Sequence, residues 1–417
     1  MVQATNCPFG AGFDFTEPTL MATGRPVKEY AELRRTEPIW WNAQPPDKSG
    51  GFRDGGYWVV TKHKHIREMS LQSDLWSTNM NTVNIRFEDD TLPEQIEMSK
   101  ALLVNQDAPQ HTRLRKLVSR AFTPRSIEAL RPQLQAAAHS IVERAAEKGQ
   151  GEFVGDVAAQ LPLLSIADLL GVPEEDRRNL FDWTNTMTRF DDPDVNTQPA
   201  AEATASILGY AYQLAEARIG CPADDIITSL VNADVDGHSL SELEFGFFVI
   251  MLAVAGNETT RNATTWGMLA FLDNPEQWDL WKRERPPTAI NEIVRWSTPV
   301  NVFQRTAVRD LELGGVQIAR GQRAGMFYGS ANFDEEVFDK PFEFDILRDP
   351  NPHVGFGGHG AHYCVGANLA RMGLELIFDA IADVIPDIKA LGPPVRQPSA
   401  WLHAALELPV DYGRPSY

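Results

Sequence analysis

The stretch Gly355-Phe356-Gly357-Gly358-His359-Gly360-Ala361-His362-Tyr363-Cys364-Val365-Gly366 carries one of only three cysteines in 417 residues. Three cysteines cannot form a disulfide framework. Cys364 sits in a glycine-rich loop just before an amphipathic segment. A thiol at such a helix start sees backbone N–H groups and the positive end of the helix dipole. Both are expected to favour the thiolate, an anionic ligand for a soft or borderline metal. Thiolate ligation of haem iron is one outcome, and it is the ligation that favours O–O cleavage. Three others compete on this loop alone. The cysteine could be a buried structural thiol. It could be part of a zinc site, because His353, His359, His362 and Cys364 lie within twelve residues. The glycines could form a phosphate loop, but no Gly-Lys-Ser/Thr follows.

The rest of the chain narrows the choice. Its 43% apolar content can fill a large core, and its net charge of −19 argues against nucleic acid as a partner. Met1 to Leu20 has neither a basic start nor an apolar run, so no signal peptide or membrane anchor is expected. With few cysteines, that points to the cytoplasm. Length alone suggests two or three domains, but no convincing linker, repeat or low-complexity tract appears. The expectation is therefore one mainly helical domain over residues 1–417 with a small β region. Its β-rich portions lie near 38–61 and 300–330, its helical core at 102–290 and 365–386.

Local signals place the elements. Pro38 to Trp41 and Tyr57 to Thr61 are aromatic and β-branched runs flanking a loop that ends Asp54-Gly55-Gly56, which reads as a hairpin. Leu161 to Gly171 ends in a glycine stop. Phe181 to Ala217 breaks at Asp191-Asp192-Pro193-Asp194, predicting two helices. Thr306 to Ala324 returns to strands and turns, Pro341 to Pro352 is irregular, and the end from Pro393 has loop and short-strand character. After Cys364, Leu369, Met372, Leu376, Ala380 and Ile381 share a helix face.

Three further segments bear on chemistry. Phe245 to Ala255 is almost continuously apolar and reads as a buried helix. It runs into Gly256, Asn257, Glu258, Thr259 and Thr260 without a stop signal. Glycine there costs helix stability, and threonine hydroxyls can bond back to carbonyls one turn earlier. Together they could open a gap beside the backbone for a small ligand such as O₂, or simply form the polar tail of a core helix. Glu292 and Arg295, three apart, share a face; most such pairs are solvated. Between His111 and Arg131 there are six Lys/Arg and one acid, Glu128. His111 and Arg115 share a face that could clamp carboxylates. The remaining charges could receive an acidic protein.

These four segments, in this order, resemble the cytochrome P450 family, and the resemblance covers nearly the whole chain. The cysteine loop resembles Gly358 to Gly366, the oxygen-activating motif Ala255 to Thr259, and the family's Glu-x-x-Arg pair Glu292 and Arg295. Ala331 to Asp345 also fits. The family usually has an aromatic residue seven positions before the cysteine. Here that position is Gly357, and Phe356 lies one further back. Within the family, Gly12 to Thr16, Trp40 to Asn42, Phe245 to Asn262, Phe303 to Thr306 and Pro352 to Asn368 resemble bacterial enzymes that oxidise the terminal methyl of cholesterol or cholest-4-en-3-one. Ser77 to Glu94 and Phe181 to Gln198 depart more freely.

The resemblance implies a haem-thiolate monooxygenase with haem b on Cys364, packed against Ala255 and Gly256. It implies that His111, Arg115, Arg305 and His362 hold the haem propionates. Glu258 and Thr259 would relay protons to bound oxygen. Val83, Phe87, Val254, Val300 and Trp401 would meet a hydrophobic sterol. Two electrons would come from a ferredoxin or a flavoprotein. The rival readings are a cytochrome P450 for a branched fatty acid or terpenoid, and a non-catalytic haem or metal protein.

Overall fold

A computed structural model describes residues 8–10, 12–45, 50–87, 91–187, 198–221, 226–232 and 240–413. Its axis is the helix Glu242–Asp273, 32 residues long, or roughly 48 Å at 1.5 Å per residue. A reciprocal cap starts it. Glu244 N–H donates to Ser241 Oγ at 3.2 Å, and Ser241 N–H donates to Glu244 Oε2 at 2.9 Å. The helix continues straight through Gly256. A Cβ at that position would lie 2.3 Å from Ile166 Cδ1, so the missing side chain lets helix Gln160–Leu170 pack against the axis.

Helices Ala289–Ser297 and Ala367–Val384 also pack on the axis, and Ala367–Val384 packs on Arg131–Ala146 as well. The five residues from Leu369 to Ile381 expected on one face of Ala367–Val384 are all buried. Gly171, in the left-handed conformation at φ 66°, stops helix Gln160–Leu170 as expected.

The β region is a five-stranded sheet in the order Ile39–Ala43, Gly56–Val60, Arg323–Phe327, Val302–Ala307, Trp76–Ser77. The Gly56–Val60/Arg323–Phe327 pair is parallel; the others are antiparallel. Gly56–Val60 and Arg323–Phe327 are buried at every position, so their apolar runs do not alternate. The sheet packs apolar clusters of its own, to which Val302, Phe303 and Ala307 belong, separate from the core of the helical body.

One detail differs from the expectation. Gln150–Glu152, inside the stretch read as helical, is a strand paired with Pro409–Asp411. That polar triplet has no periodicity; its conformation comes from a partner more than 250 residues away. Helices Arg177–Met187 and Gln198–Gly220 are the two expected across Phe181 to Ala217, while the expected break at Asp191–Asp194 lies outside the described residues. No helix among the described residues is long and apolar enough to cross a membrane.

Candidate active site

The axis helix, the cysteine loop and strand Val302–Ala307 enclose a cavity of about 1100 Å³. Single ligand pockets commonly measure roughly 300–1,000 Å³, so this one has room for a cofactor and a substrate together. Cys364, His362, Ala255, Gly256, Glu258, Thr259, His111, Arg115 and Arg305 all line it. So do the apolar residues Val83, Phe87, Val254, Val300 and Trp401. Of the residues that the resemblance maps onto the family's motifs, Glu292 and Arg295 lie elsewhere.

Cys364 opens onto the cavity and is otherwise enclosed by protein. Its N–H donates to Phe356 O at 3.0 Å, closing the loop. The extra residue between aromatic and cysteine is absorbed by His359, which takes a left-handed φ of 60° and stacks on Tyr363 at 5.1 Å. Phe356 still reaches the cavity. On its other side it carries the Arg371 guanidinium, 4.4 Å from its centroid. Burial pushes the Cys364 thiol pKa up; the Gly366 backbone N–H, Arg115 and Arg371 oppose that push. The N–H group and the two guanidiniums act in the direction that the sequence expects, and enclosure acts against it.

The three nearby histidines do not converge on the sulfur. His353 is buried against Asn291, Nε2 to Oδ1 3.3 Å. His359 stacks on Tyr363, and His362 lies 4.1 Å from the His111 ring, centroid to centroid. No group of three or more metal-ligating side chains forms among the described residues. The zinc reading therefore fails on geometry.

One wall is crowded with cations. Burial, then Arg305, His111 and Arg115, hold the His362 pKa down to about 2. Burial, then Arg115, bring His111 to about 4, with Asp107 pulling the other way. Burial also lowers Arg115 and Arg305. Arg115 donates to Tyr363 O, and Arg305 Nη1 to Gln304 O at 2.8 Å. A ligand bringing carboxylates to this wall would relieve the desolvation of both guanidiniums.

Across the cavity, the Thr259 hydroxyl donates to Ala255 O at 2.7 Å, the back-bond expected from the sequence. Ala255 is exposed inside an otherwise buried helix, and its exposure is to the cavity. Glu258 is completely buried and accepts a hydrogen bond from Arg261, three residues on. Arg261 escaped the sequence reading, although Glu258-x-x-Arg261 repeats the spacing of Glu292-x-x-Arg295. Phe303 and Tyr328 also line the cavity unforeseen. Phe303 could have been found from strand alternation with Arg305.

The basic run divides. Arg113 pairs with Glu244, and Arg131 pairs with Glu128 and Glu375. Lys116 and Arg125 are exposed. The Arg120 side chain lies outside the described residues.

Comparison with known proteins agrees with this geometry. The cytochrome P450 family model matches residues 287–381. A steroid C26-monooxygenase of Rhodococcus jostii is 61% identical, over 96% of this chain and 85% of its own length. A steroid C26-monooxygenase of Mycobacterium tuberculosis is 55% identical, over 99% and 94%. Among solved structures, a cytochrome P450 of Mycobacterium marinum in complex with pseudoionone superposes with a TM-score of 0.88. It is 35% identical, over 96% of this chain and 98% of that one. The chain belongs to the cytochrome P450 family. Membership brings haem held by a cysteine thiolate, O₂ as co-substrate, a redox partner and a hydrophobic substrate.

Proposed function

We propose that the protein hydroxylates the terminal methyl, carbon 26, of a sterol side chain such as that of cholesterol or cholest-4-en-3-one. It would use O₂ and two electrons delivered by a ferredoxin or flavoprotein in the cytoplasm. The observation that carries the reading is one chamber in which a cysteine, a cationic wall and an apolar wall meet. Steroid C26-monooxygenases share more than half of the chain's residues. The bound haem supplies the oxygen chemistry.

The protein's own residues divide the remaining work. Cys364 holds the iron. His111, Arg115, Arg305 and His362 take the propionates, and the two histidines, neutral at physiological pH, donate hydrogen bonds. Ala255 and Gly256 keep side chains away from the oxygen side. Glu258 and Thr259 relay protons toward the oxygen side. Val83, Phe87, Val254, Val300 and Trp401 hold the sterol. The terminal methyl is less reactive than the neighbouring tertiary carbon, so position rather than reactivity must select it.

Cys364→Ser tests the ligand. The variant is expected to lose the thiolate-type spectrum of the reduced CO complex and all monooxygenation. Purified wild-type protein carrying zinc and no haem would refute the reading. For the substrate, cholest-4-en-3-one is expected to displace the iron-bound water in a spectral titration and to yield carbon-26 alcohol. No spectral shift, or mainly ring or carbon-25 products, would rule out the sterol assignment.

A further inference from the structure

Two unlike segments line the cavity. Leu92 and the helix Pro93–Ser99 contribute Leu92, Gln95, Met98 and Ser99, yet none of the helix residues is buried. Asn81 to Ile85 carries Val83 to the cavity and is tied down at the Val83 N–H and at the carbonyls of Asn81, Val83, Asn84 and Ile85. Gln304 does most of the tying. Its N–H donates to Val83 O at 2.8 Å. Its side-chain Nε2 donates to Asn81 O at 2.9 Å and to Asn84 O at 2.7 Å. Its Oε1 accepts from Arg323 Nη1 at 3.2 Å, and the same Nη1 reaches Ile85 O at 3.1 Å. Asn105 Oδ1 takes the Val83 N–H at 2.8 Å. Gln304, Arg323, Thr82 and Asn105 are all buried.

The segment is also strained. Thr82 has a φ of 62°, a conformation rare for a β-branched residue. Such a residue persists only where its surroundings over-determine it. Strand alternation explains how one short stretch serves both purposes. Phe303 and Arg305 face the cavity, while Gln304, between them, turns to the loop.

We propose that Gln304 is a positioning residue that fixes the Val83 wall, and that this fixity confines oxidation to one end of the substrate. The inference rests on the sterol reading above for its product, but the clamp itself does not. A substrate with a reactive tertiary carbon next to the terminal methyl needs a wall that does not yield, because a small displacement brings the wrong carbon forward. The exposed helix Pro93–Ser99 can adapt to the bulk of the rings.

Two variants test it. Gln304→Met keeps the volume and removes the side-chain bonds; Thr82→Gly keeps the clamp and releases the strained backbone. Both are measured as haem-loaded protein against wild type. Amide hydrogen exchange over residues 81–87 is expected to speed up at least tenfold in Gln304→Met. With cholest-4-en-3-one, the ratio of carbon-26 to carbon-25 product is expected to fall about ten- to hundred-fold in Gln304→Met, and by less in Thr82→Gly. A purely structural glutamine would lower the yield of folded protein and leave the product ratio alone. An unchanged ratio in both variants overturns the proposal, as does unchanged exchange in Gln304→Met. If that variant does not fold, Thr82→Gly decides by its product ratio. A wild type that makes no carbon-26 alcohol overturns the sterol reading instead, while the exchange measurement still decides on the clamp.

Discussion

Two glutamate–arginine pairs share one spacing and one degree of burial but sit in opposite surroundings. Glu292 and Arg295, on helix Ala289–Ser297, are both wholly buried. Glu292 accepts from Arg295 Nε and Nη2 at 2.8 and 2.7 Å, and from Arg348 Nε, Asn351 Nδ2 and the Asp345 N–H at 3.0–3.1 Å. Arg295 also donates to Asn332 O and Pro341 O, both at 2.9 Å. These bonds pin the irregular stretch from Asn332 to Asn351 to the helix. Glu258 and Arg261, on the axis helix, are also buried and bonded, but Glu258 borders the cavity. The sequence spacing makes the pair; the neighbours decide whether it holds the fold or faces the chemistry.

The same substitution at both glutamates separates the two roles. In Glu292→Gln an NH₂ replaces an oxygen that is surrounded by donors. Disrupting a buried, hydrogen-bonded charge network costs about 3–5 kcal/mol, against a total stability of roughly 5–15 kcal/mol. The expected outcome is little or no folded, haem-loaded protein, read from yield and the thermal midpoint. An unchanged midpoint would return this pair to the class of exposed pairs worth about 0.3–0.5 kcal/mol.

Glu258→Gln keeps shape and one acceptor oxygen but gives up the carboxylate. Losing a positioned proton donor costs about 10²–10⁴-fold in rate. Turnover is therefore expected to fall at least about a hundredfold while the reduced-CO spectrum and the substrate titration stay as in wild type. Thr259→Ala, in the same turn, is expected to keep its haem and divert electrons to peroxide. The measurement is product formed per electron consumed. A Glu258→Gln enzyme with wild-type turnover would make this second pair structural like the first, and a Thr259→Ala enzyme with wild-type coupling would leave Thr259 without a part in the relay.

The sequence made the chemistry legible where it is local. Cys364 in its loop, Thr259 one turn after Ala255, and the helix after the cysteine follow from spacing and glycine placement. That Glu292–Arg295 is buried was not legible, because its partners Asn332, Asp345, Arg348 and Asn351 come from a stretch with no periodic signal. The hold of Gln304 on Asn81 and Asn84 was likewise hidden, since it joins segments more than 200 residues apart. The loop alone shows the N–H groups and glycines around Cys364 but not the enclosure, which pushes the thiol pKa up against them.

The basic run from His111 to Arg131 poses the same question of committed against outward-facing charge. On sequence grounds the charges not facing inward could receive an acidic electron donor or simply form a solvated basic helix. In the structure Arg113 and Arg131 are engaged by Glu244, Glu128 and Glu375, and Arg115 turns inward to Tyr363 O. Lys116 and Arg125 are the exposed cations among the described side chains of the run. Steering should accordingly be weaker than the count implies. Two unit charges about 10 Å apart in water interact by about 0.4 kcal/mol, a factor of about two in an equilibrium or encounter population. Lys116→Glu changes the local charge by two, so reduction by an acidic donor is expected to slow about fourfold at low salt. Ions screen charges beyond about 8 Å at physiological ionic strength, so wild type and variant are expected to converge as salt rises. Stopped-flow reduction at several ionic strengths reads both effects. A rate indifferent to the substitution and to salt would place the donor on another face, and the outward half of this helix would then be ordinary solvated charge.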